Sequence, residues 1–306
     1  MTSSMRLIFL GTGGCVPTET RNLPSLYLEF LGEPFLFDVG EGTQRQMRKA
    51  GLNFMKLDHI FLTHLHADHF LGIGGMIQSM DFLERDRELT IHGPAGTKNA
   101  INTLLSAGTF QLKNFKLNLH EVEPGPVCEG KNYTVTCAKT IHTANSLAYC
   151  FEEKPYRRFL KKKALEMGIP EGRLFGRLQR GQEVELDGST IKPEEVLDDP
   201  IPGRKIIVSG DTRPCGNVIR LAKDADILVH EASFSGEDAE QTKDAAHTTI
   251  PEAAEIAAKA NAKKLYLTHI SQRYSETEKL EAEAREKFTE SYIAEDFMEV
   301  DVPKHW

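Results

Sequence analysis

The chain has 306 residues, of which 40 % are hydrophobic, and a formal net charge of −8 at pH 7. It is long enough to bury a substantial core, and no apolar run approaches the roughly 20 residues that a membrane helix needs. The negative balance argues against indiscriminate binding of nucleic acid, although an overall charge can hide a local basic patch.

The first elements predict a sheet whose loops collect at one edge. Arg6–Leu10 is typical of a buried strand, and Ser25–Leu31 with Pro34–Phe37 predicts a hairpin. Asp38 follows the hairpin directly and could be a metal ligand, a partner that orients a liganding histidine, or a turn residue. We favour the orienting partner, because a liganding imidazole needs an acceptor for its other nitrogen.

The densest motif is His64-Leu65-His66-Ala67-Asp68-His69, which holds three imidazoles and a carboxylate in six positions. It lies between a predicted strand and a predicted, glycine-interrupted helix. Residues two apart in an extended chain point the same way, so His64 and His66 can bind one ion together. Asp68 and His69 turn toward an adjacent position. The spacing therefore predicts two neighbouring divalent metal ions.

Ligand-type residues also follow four later apolar runs, at 133–140, 205–209, 225–229 and 264–268. The residues that come after these predicted strands are, in order, His142, Asp211, the pair His230 and Glu231, and His269. In α/β proteins chemistry collects at the carboxyl ends of strands. We therefore expect these side chains to join the histidine motif in one site.

A count of ligands supports a pair of ions. The candidates divide into two sets and a bridge, which are His64, His66 and His142, then Asp68, His69 and His269, and finally Asp211. Imidazole with carboxylate favours zinc, and manganese or iron could occupy the same ligands. Two such ions activate water at neutral pH and stabilise both oxygens of an in-line phosphoryl displacement.

These residues resemble the ligand series of the metallo-β-lactamase superfamily. Five further segments narrow the resemblance to the ribonuclease Z family, the short-form tRNA 3′-processing endonucleases, and these are 9–13, 37–44, 209–214, 230–234 and 247–249. The resemblance spans Met5 to about Tyr274. It implies an α/β fold of the αββα sandwich type, two zinc ions, and removal of the 3′ trailer from precursor tRNA. Such cleavage leaves a 3′-hydroxyl on the tRNA and a 5′-phosphate on the trailer.

The resemblance also implies roles for residues outside the ligand series. His247 precedes Thr249, which with Glu252 has the spacing of a capping box that begins a helix. A histidine there can protonate the leaving 3′-oxygen or stabilise the transition-state phosphate, and an exposed residue at the start of a helix is the alternative. Glu231 resembles the family's partner for that histidine and would fix its tautomer and raise its pKa.

Two more side chains are candidates for roles in the cleavage reaction. Asp68, besides contacting a metal, is placed to accept a proton from the attacking water. Arg273, four residues after His269, is a plausible phosphate clamp, and an ordinary surface arginine is the alternative.

A basic segment interrupts the series of predicted strands. Residues 154–180 carry a net charge of +7, which leaves −15 for the rest of the chain, and the basic residues are Lys154, Arg157, Arg158, Lys161, Lys162, Lys163, Arg173, Arg177 and Arg180. Residues 156–167 predict an amphipathic helix that ends at Gly168, and three glycines between 172 and 181 predict a protruding turn. We expect one domain over 1–306 with an inserted RNA-binding arm at about 152–200, which would bind tRNA phosphates. A solvated charged face is the alternative.

One departure from the family concerns the loop after the first strand. The family often has Pro-x-Lys-x-Arg-Asn, whereas this chain has Glu19 within Pro17–Asn22. The inverted charge lies where the RNA 3′ end would pass, so it bears on how a trailing CCA is treated and on the cleavage position.

Other functions within the superfamily use the same metals. A lactone, thioester or sulfate-ester hydrolase would have little use for the basic arm, and a phosphodiesterase acting on cyclic nucleotides is a closer alternative. A non-catalytic RNA-binding module would have lost ligands that this chain keeps. The family also suggests a homodimer. Five cysteines without a Cys-x-x-Cys pair, and an N-terminus without a signal-peptide pattern, favour a cytoplasmic protein.

Overall fold

The computed structural model describes residues 5–240 and 245–305. Met1–Ser4, on which the absence of a signal-peptide pattern partly rests, and Trp306, the end of the acidic C-terminal segment, lie outside the described residues. The described chain divides into two compact units. The first comprises residues 5–152 and 205–303, and the second comprises residues 153–204 and 304–305.

Strands are numbered in chain order over the described residues. They are β1 (Met5–Gly11), β2 (Gly13–Gly14), β3 (Ser25–Phe30), β4 (Glu33–Phe37), β5 (His59–Phe61), β6 (Leu89–Gly93), β7 (Leu117–Glu121), β8 (Gly125–Glu129), β9 (Tyr133–Lys139), β10 (Leu147–Glu153), β11 (Val184–Leu186), β12 (Ser189–Ile191), β13 (Lys205–Val208), β14 (Ile227–Glu231), β15 (Lys264–Thr268), β16 (Ile270–Ser271), β17 (Ser291–Ile293) and β18 (Glu299–Asp301).

The α-helices are numbered in the same way. They are α1 (Thr43–Lys49), α2 (Ala67–Phe70), α3 (Gly72–Phe82), α4 (Thr97–Ser106), α5 (Lys161–Glu166), α6 (Arg173–Gln179), α7 (Gly216–Leu221), α8 (Ile250–Ala260) and α9 (Glu278–Lys287). Within the described ranges, no helix combines the length and the apolar character needed to cross a bilayer.

The first unit is a four-layer sandwich. One sheet has the strand order β18-β1-β3-β4-β5-β6-β7, and the other has the order β17-β15-β14-β13-β10-β9-β8. A buried cluster that includes Phe9, Phe37, Tyr149 and Val229 lies between the two sheets. The outer face of the first sheet packs on α1, α3 and α4, and the outer face of the second packs on α7, α8 and α9. This arrangement confirms the αββα fold expected from the sequence.

The position of β1 in the sandwich explains why its sequence is mostly apolar. Leu7 and Phe9 face the layer between the sheets, whereas Ile8 and Leu10 belong to the helix-covered cluster. Successive side chains of a strand point to opposite faces, so a sheet that is covered on both faces needs apolar residues at every position. The predicted hairpin is confirmed as the antiparallel pair β3 and β4.

One predicted strand boundary was wrong. The apolar run 225–229 was expected to end before His230 and Glu231, but β14 extends through Glu231. Both residues pair with β15, and Glu231 is buried. The backbone N–H of Glu231 donates to the Ser209 hydroxyl at 3.1 Å. Hydrogen bonds of this kind allow a polar pair to remain inside the sheet.

The C-terminal segment completes the first unit. After α9, β17 and β18 add one strand to the edge of each sheet. Between them, Asp296 accepts hydrogen bonds from the Thr12 hydroxyl at 2.8 Å, the Asn22 backbone at 2.8 Å and the Gln46 amide at 2.9 Å. Arg21 donates to the Ala294 carbonyl at 2.6 Å. The segment therefore anchors the loop that follows β1.

The second unit has a small core of its own. Ala164, Leu178, Val184 and Ile191 are buried together, and they join α5 and α6 to the hairpin β11–β12. A buried ion pair, at 2.7 Å between Arg204 Nε and Glu153 Oε2, connects the two chain ends of the unit.

Two sequence predictions for this unit were wrong in detail. The helix predicted from 156 begins only at Lys161, because Tyr156 and Phe159 form isolated β-bridges with Ile201 and Leu197. The turn expected between 172 and 181 contains the helix α6. Gly172 and Gly181 have positive φ angles at its two ends, as chain reversals that favour glycine require.

Candidate metal centre

Four histidines converge on one carboxylate at the ends of the strands. The Nε2 atoms of His269, His69, His64 and His142 lie 3.3, 3.4, 3.6 and 3.9 Å from Oδ2 of Asp211. Asp211 is buried, and burial alone would raise its pKa, but the surrounding imidazoles hold the pKa well below its usual range. The centre of the site is therefore an ionised carboxylate surrounded by ring nitrogens.

Hydrogen bonds at Nδ1 turn each of these rings inward. The Nδ1 atom of His69 donates to Asp38 at 2.8 Å, and that of His142 donates to the Ala246 carbonyl at 3.0 Å. His64 donates to the Thr63 hydroxyl at 3.1 Å, because that hydroxyl gives its single proton to Asp38. A neutral imidazole with its proton on Nδ1 presents a lone pair at Nε2.

His269 is held in the same way by Ser233. The Ser233 hydroxyl donates to Glu231 at 3.0 Å and so accepts from Nδ1 of His269 at 2.8 Å. The Nε2 atoms of all four rings thus face Asp211. An arrangement of this kind is typical of histidines that ligate a metal.

The hydrogen bonding of two of these Nε2 atoms indicates whether the site fits a metal. Nε2 of His64 and Nε2 of His69 are buried and have no hydrogen-bond partner in the described part of the chain. Burial and neighbouring imidazoles lower the pKa of His64 to about 2, so its ring is neutral at physiological pH. Buried ring nitrogens without partners are unfavourable, and a divalent cation would satisfy them. The residues therefore fit a divalent metal.

The remaining ligand candidates lie beside this cluster. Nδ1 of His66 is 3.2 Å from Nε2 of His142, and both belong with His64 and Asp211 to a group whose ligand atoms all lie within 4.8 Å of one another. Oδ2 of Asp68 lies 3.4 Å from Nε2 of His269 and 3.6 Å from Nε2 of His69. The structure thus brings all seven sequence candidates close together.

Asp38 does not approach the Asp211 carboxylate, and instead hydrogen-bonds residues that surround it. One carboxylate oxygen accepts the Thr63 backbone N–H at 2.7 Å, and the other accepts the Thr63 hydroxyl and His69. It therefore orients His69 directly and His64 through Thr63. This position corresponds to the orienting role favoured from the sequence.

His247 lies beside the metal-ligand candidates and is hydrogen-bonded to the carboxylate of Glu231. Its Nδ1 donates to Oε1 of Glu231 at 2.9 Å, and its ring stacks on His269 at 5.2 Å between centroids. Burial would lower the pKa of His247, but the hydrogen bond to Glu231 and the charges of Glu231 and Asp211 raise it to about 9. The ring is therefore protonated at neutral pH, with Nε2–H left to donate.

The Glu231 carboxylate accepts several hydrogen bonds besides the one from His247. Its two oxygens accept three backbone N–H groups, from Thr212 at 3.0 Å, Thr248 at 3.1 Å and Ser233 at 3.2 Å. Glu231 also belongs, with His247 and His269, to another group of side chains close enough to bind one ion. Its hydrogen bonds indicate that it holds side chains in place.

Two glycines allow the backbone to pass close to side chains of the site. A Cβ atom on Gly14 would lie 2.6 Å from Nδ1 of His269, and His269 itself has a φ of 60°. Gly210, with a φ of +60°, would place a Cβ 2.6 Å from the Thr63 side chain. Only glycine lets the backbone approach these side chains so closely.

Arg273 lies at the margin of this group. Its guanidinium is 5.0 Å above the ring of Phe234, whose centroid is 6.2 Å from that of His247. It also lies 3.8 Å from Asp238. The side chain is therefore near the His247 side of the site, and it is 42 % exposed.

The basic residues of 154–180 lie in the second unit. Arg157 and Arg158 bind Asp198, and Lys161 pairs with Glu171 at 2.8 Å. Exposed side chains along α5 and α6 carry four more of the basic groups, and they are Lys162, Lys163, Arg173 and Arg177. Part of the charge thus makes local ion pairs, and part faces solvent.

Sequence reasoning missed three contributors. Ser233 and Thr63 transmit hydrogen bonds between a carboxylate and a ring, and the backbone of Cys15 donates to Asp68 at 3.1 Å. Ser233 lies within the recognised segment 230–234, and Thr63 directly precedes the histidine motif, which was the available signal. A hydroxyl beside a histidine is too common in sequences to be recognised without the fold.

The chain resembles known proteins along nearly its full length. The family model for the anti-Pycsar protein Apyc1 matches residues 5–156, and the model for the beta-lactamase superfamily domain matches residues 196–270. A ribonuclease Z from Methanothermobacter thermautotrophicus is 47 % identical, covering 97 % of both chains. One from Methanosarcina mazei is 46 % identical, covering 98 % of both.

A solved structure supports the same relationship. The human short form of tRNase Z superposes with a TM-score of 0.72 at 27 % identity, and the match covers 98 % of this chain and all of that one. The sequence relatives and the folded site agree, and the chain belongs to the ribonuclease Z family of metallo-β-lactamase-fold proteins.

Proposed function

We propose that this protein is a metal-dependent endoribonuclease that removes the 3′ trailer from precursor tRNA. The observation that carries the proposal is the convergence of seven ligand candidates beside a protonated His247 held by Glu231. Relatives named ribonuclease Z share 46–47 % identity with the chain. The residues of the site would hold the metal ions that act as the electrophilic centre, and they include a base and an acid, as phosphodiester hydrolysis requires.

We propose two zinc ions per chain, with manganese or iron as possible substitutes. His64, His66 and His142 would hold one ion, Asp68, His69 and His269 the other, and Asp211 would bridge them. Bound ions of this type supply activated water and stabilise the charge of the phosphoryl oxygens.

Asp68 is the carboxylate best placed to take the proton of the attacking water. Its side chain is 12 % exposed, whereas those of Asp211 and Glu231 are 3 % and 1 % exposed. The Cys15 N–H holds one of its oxygens at 3.1 Å. A base must reach solvent and still keep a fixed orientation, and Asp68 meets both conditions.

His247 is the candidate acid. Because its Nδ1 proton is given to Glu231, its Nε2–H is available to the leaving 3′-oxygen. Water oxygen bonds to phosphorus, the bond from phosphorus to the 3′-oxygen breaks, and His247 supplies the proton that this oxygen needs. The tRNA then ends in a 3′-hydroxyl, and the trailer keeps the 5′-phosphate.

RNA binding is assigned to the second unit and to Arg273. The exposed lysines and arginines of α5 and α6 would bind phosphates of the folded tRNA without reading its sequence. Arg273 would bind a phosphate near His247. These assignments follow from charge and exposure.

The direct test uses a 3′-extended precursor tRNA labelled at its 5′ end. Purified protein should cut once near the end of the acceptor stem, with a 3′-hydroxyl on the tRNA and a 5′-phosphate on the trailer. Asp211→Ala should be inactive, and a cyclic nucleotide and a lactone should be poor substrates. Efficient hydrolysis of the cyclic nucleotide or the lactone, with intact precursor tRNA, would assign the protein to another activity of the superfamily.

We also propose a homodimer in the cytoplasm. Phe82 at the end of α3 is 87 % exposed and Leu83 is 51 % exposed, and a second copy would cover them. All five cysteines are free thiols, as is usual in a reducing compartment. Analytical ultracentrifugation of the wild type and Phe82→Ser tests the dimer, which the substitution should weaken.

A further inference from the structure

A second group of ligand-type side chains lies between the two sheets, away from the site described above. His59 is on β5, His92 is on β6, and Cys128 is on β8 at the edge of the opposite sheet. One potential ligand atom from each lies within 4.8 Å of the other two. The proposed nuclease activity uses none of these residues.

The two imidazoles are held in a fixed arrangement. His92 stacks on Phe61 at 5.0 Å and on His59 at 5.4 Å between ring centroids, and its ring contacts that of His120 on β7. Nδ1 of His59 lies 3.1 Å from Nε2 of His92. Both rings are therefore preorganised by the strands that carry them.

One ring nitrogen in the group has no partner. His92 is 2 % exposed, and its Nδ1 has no hydrogen-bond partner within the described residues. A buried polar atom is seldom left unsatisfied in a folded protein. When His92 donates from Nε2 to His59, this Nδ1 carries a lone pair, which is the form that binds a cation.

The surroundings keep both imidazoles neutral. Burial, with smaller contributions from His59 and His120, lowers the pKa of His92 to about 3, and burial also lowers the pKa of His59. The same desolvation raises the pKa of the Cys128 thiol to about 12. The thiol is therefore protonated unless a cation binds to it, and a coordinated thiol loses its proton.

A solvent cleft reaches the group from outside. The cleft has a volume of about 390 Å³, and its lining includes His59, Asp58, Glu33 and Tyr133. The lining also includes Lys56 and Arg87, so two acidic and two basic side chains leave the cleft neutral overall, and its charge does not repel a cation. Ligands, a fixed geometry and an access route are the requirements for a metal site.

We infer that His59, His92 and Cys128 form a binding site for one additional transition-metal ion of the zinc type. Two imidazoles and one thiolate suit Zn²⁺ and Co²⁺, and they do not suit Mg²⁺ or Ca²⁺, which prefer oxygen. On binding, the hydrogen bond between the two imidazoles breaks so that each ring contributes one lone pair, and the Cys128 thiol releases its proton to water. The ion would join β5 and β6 of one sheet to β8 of the other.

Cobalt is the probe, because a cobalt–thiolate bond absorbs in the near ultraviolet and imidazole or carboxylate ligands do not produce that band. The metal-free wild type is titrated with Co²⁺ alongside Cys128→Ser and Cys15→Ser. Cys15 is the matched control, since its thiol lies near Asp68 and His269 in the first site. The band should appear in the wild type and in Cys15→Ser and disappear in Cys128→Ser.

Two further measurements complete the test. Native mass spectrometry after zinc loading should show one ion fewer in Cys128→Ser than in the wild type, with unchanged hydrolysis of bis(p-nitrophenyl) phosphate. His59→Gln, altered on the cleft side, should weaken cobalt binding at least tenfold even if the cysteine variant folds poorly. A wild type without the band, or a band that persists in Cys128→Ser, overturns the inference.

Discussion

Glu231 accepts a hydrogen bond from Nδ1 of His247 at 2.9 Å, and this contact keeps the imidazole charged at neutral pH. The raised pKa of about 9 means that the protonated ring is present below that pH and is lost above it. If His247 is the acid, cleavage of precursor tRNA should fall as the pH rises through about 9.

Glu231→Gln removes the charge that supports this proton. The pKa of His247 should fall, so the alkaline limb of the pH profile of kcat should move to lower pH, and kcat at neutral pH should drop by about 10²-fold. His247→Ala should lose the limb altogether. An unchanged limb in Glu231→Gln would mean that another group supplies the proton.

Asp38 should control metal affinity without being a ligand. Asp38→Asn weakens the acceptor for His69 and for the Thr63 hydroxyl that positions His64. We expect metal affinity to fall by roughly 10–100-fold, with activity restored by excess metal. Competition with a chromophoric chelator measures the affinity. Asp301→Asn, an exposed change on β18, is the matched control and should bind metal like the wild type.

Gly14→Ala should disturb the metal site through His269. The added Cβ would lie 2.6 Å from the ring and 2.8 Å from the backbone oxygen of His269, so the ring must shift. We expect reduced metal content and reduced cleavage. Gly75→Ala in α3 is the control, because its Cβ meets nothing within 4 Å. It should keep full metal content and gain about 0.5–1 kcal/mol of helix stability.

The exposed lysines of α5 should contribute affinity that depends on salt. Replacing Lys162 and Lys163 by alanine should raise the KM for precursor tRNA. A plot of the logarithm of the tRNA association constant against the logarithm of the salt concentration should become less steep, by about 0.9 for each phosphate that is no longer neutralised. Hydrolysis of bis(p-nitrophenyl) phosphate should not change. Alanine at Lys259 and Lys279, exposed on α8 and α9, provides the comparison.

Deletion of the whole arm requires care over its boundaries. Removing 154–180 would delete Ala164 and Leu178. Val184 and Ile191, which form one core with them, would be left exposed. Replacing 155–202 by a short turn keeps the Glu153–Arg204 pair and removes that core as a whole. The shortened protein should lose precursor-tRNA cleavage and keep hydrolysis of the small phosphodiester. Equal loss on both substrates would contradict the role of the arm.

Glu19 should oppose the passage of RNA. It lines an open cleft of about 630 Å³ together with Glu278, Glu295 and Asp296, so this margin of the first unit is acidic. Glu19→Lys should lower the KM for precursor tRNA and steepen its salt dependence. Sequencing of the products from substrates with and without CCA would show whether the cleavage position also moves. Glu19→Gln, which removes the charge without inverting it, should have an intermediate effect.

The sequence was sufficient where a local pattern determines a local structure. Alternation and apolar runs placed the hairpin β3–β4 and β15, and the Thr249–Glu252 spacing identified the capping box that begins α8. The six-residue histidine motif indicated a metal site on its own. These features depend on neighbours in the chain, which periodicity and spacing describe well.

Contacts between distant segments were not predictable in the same way. Ser233 orients His269 from 36 residues away, and the continuation of β14 through Glu231 depends on its pairing with β15. The helix α6 was missed because Gly176 lies within it, and the packing of Leu178 outweighs the low helix propensity of glycine. Tertiary packing determined each of these features.

Asp296 holds the Asn22 backbone from 274 residues further along the chain. During synthesis, the loop after β1 therefore emerges long before the residue that secures it. A nascent or truncated polypeptide ending before that aspartate would carry every metal-ligand candidate and still leave this loop unsecured. The hydrogen bond to the Asn22 backbone can therefore form only after the last segment has been synthesised.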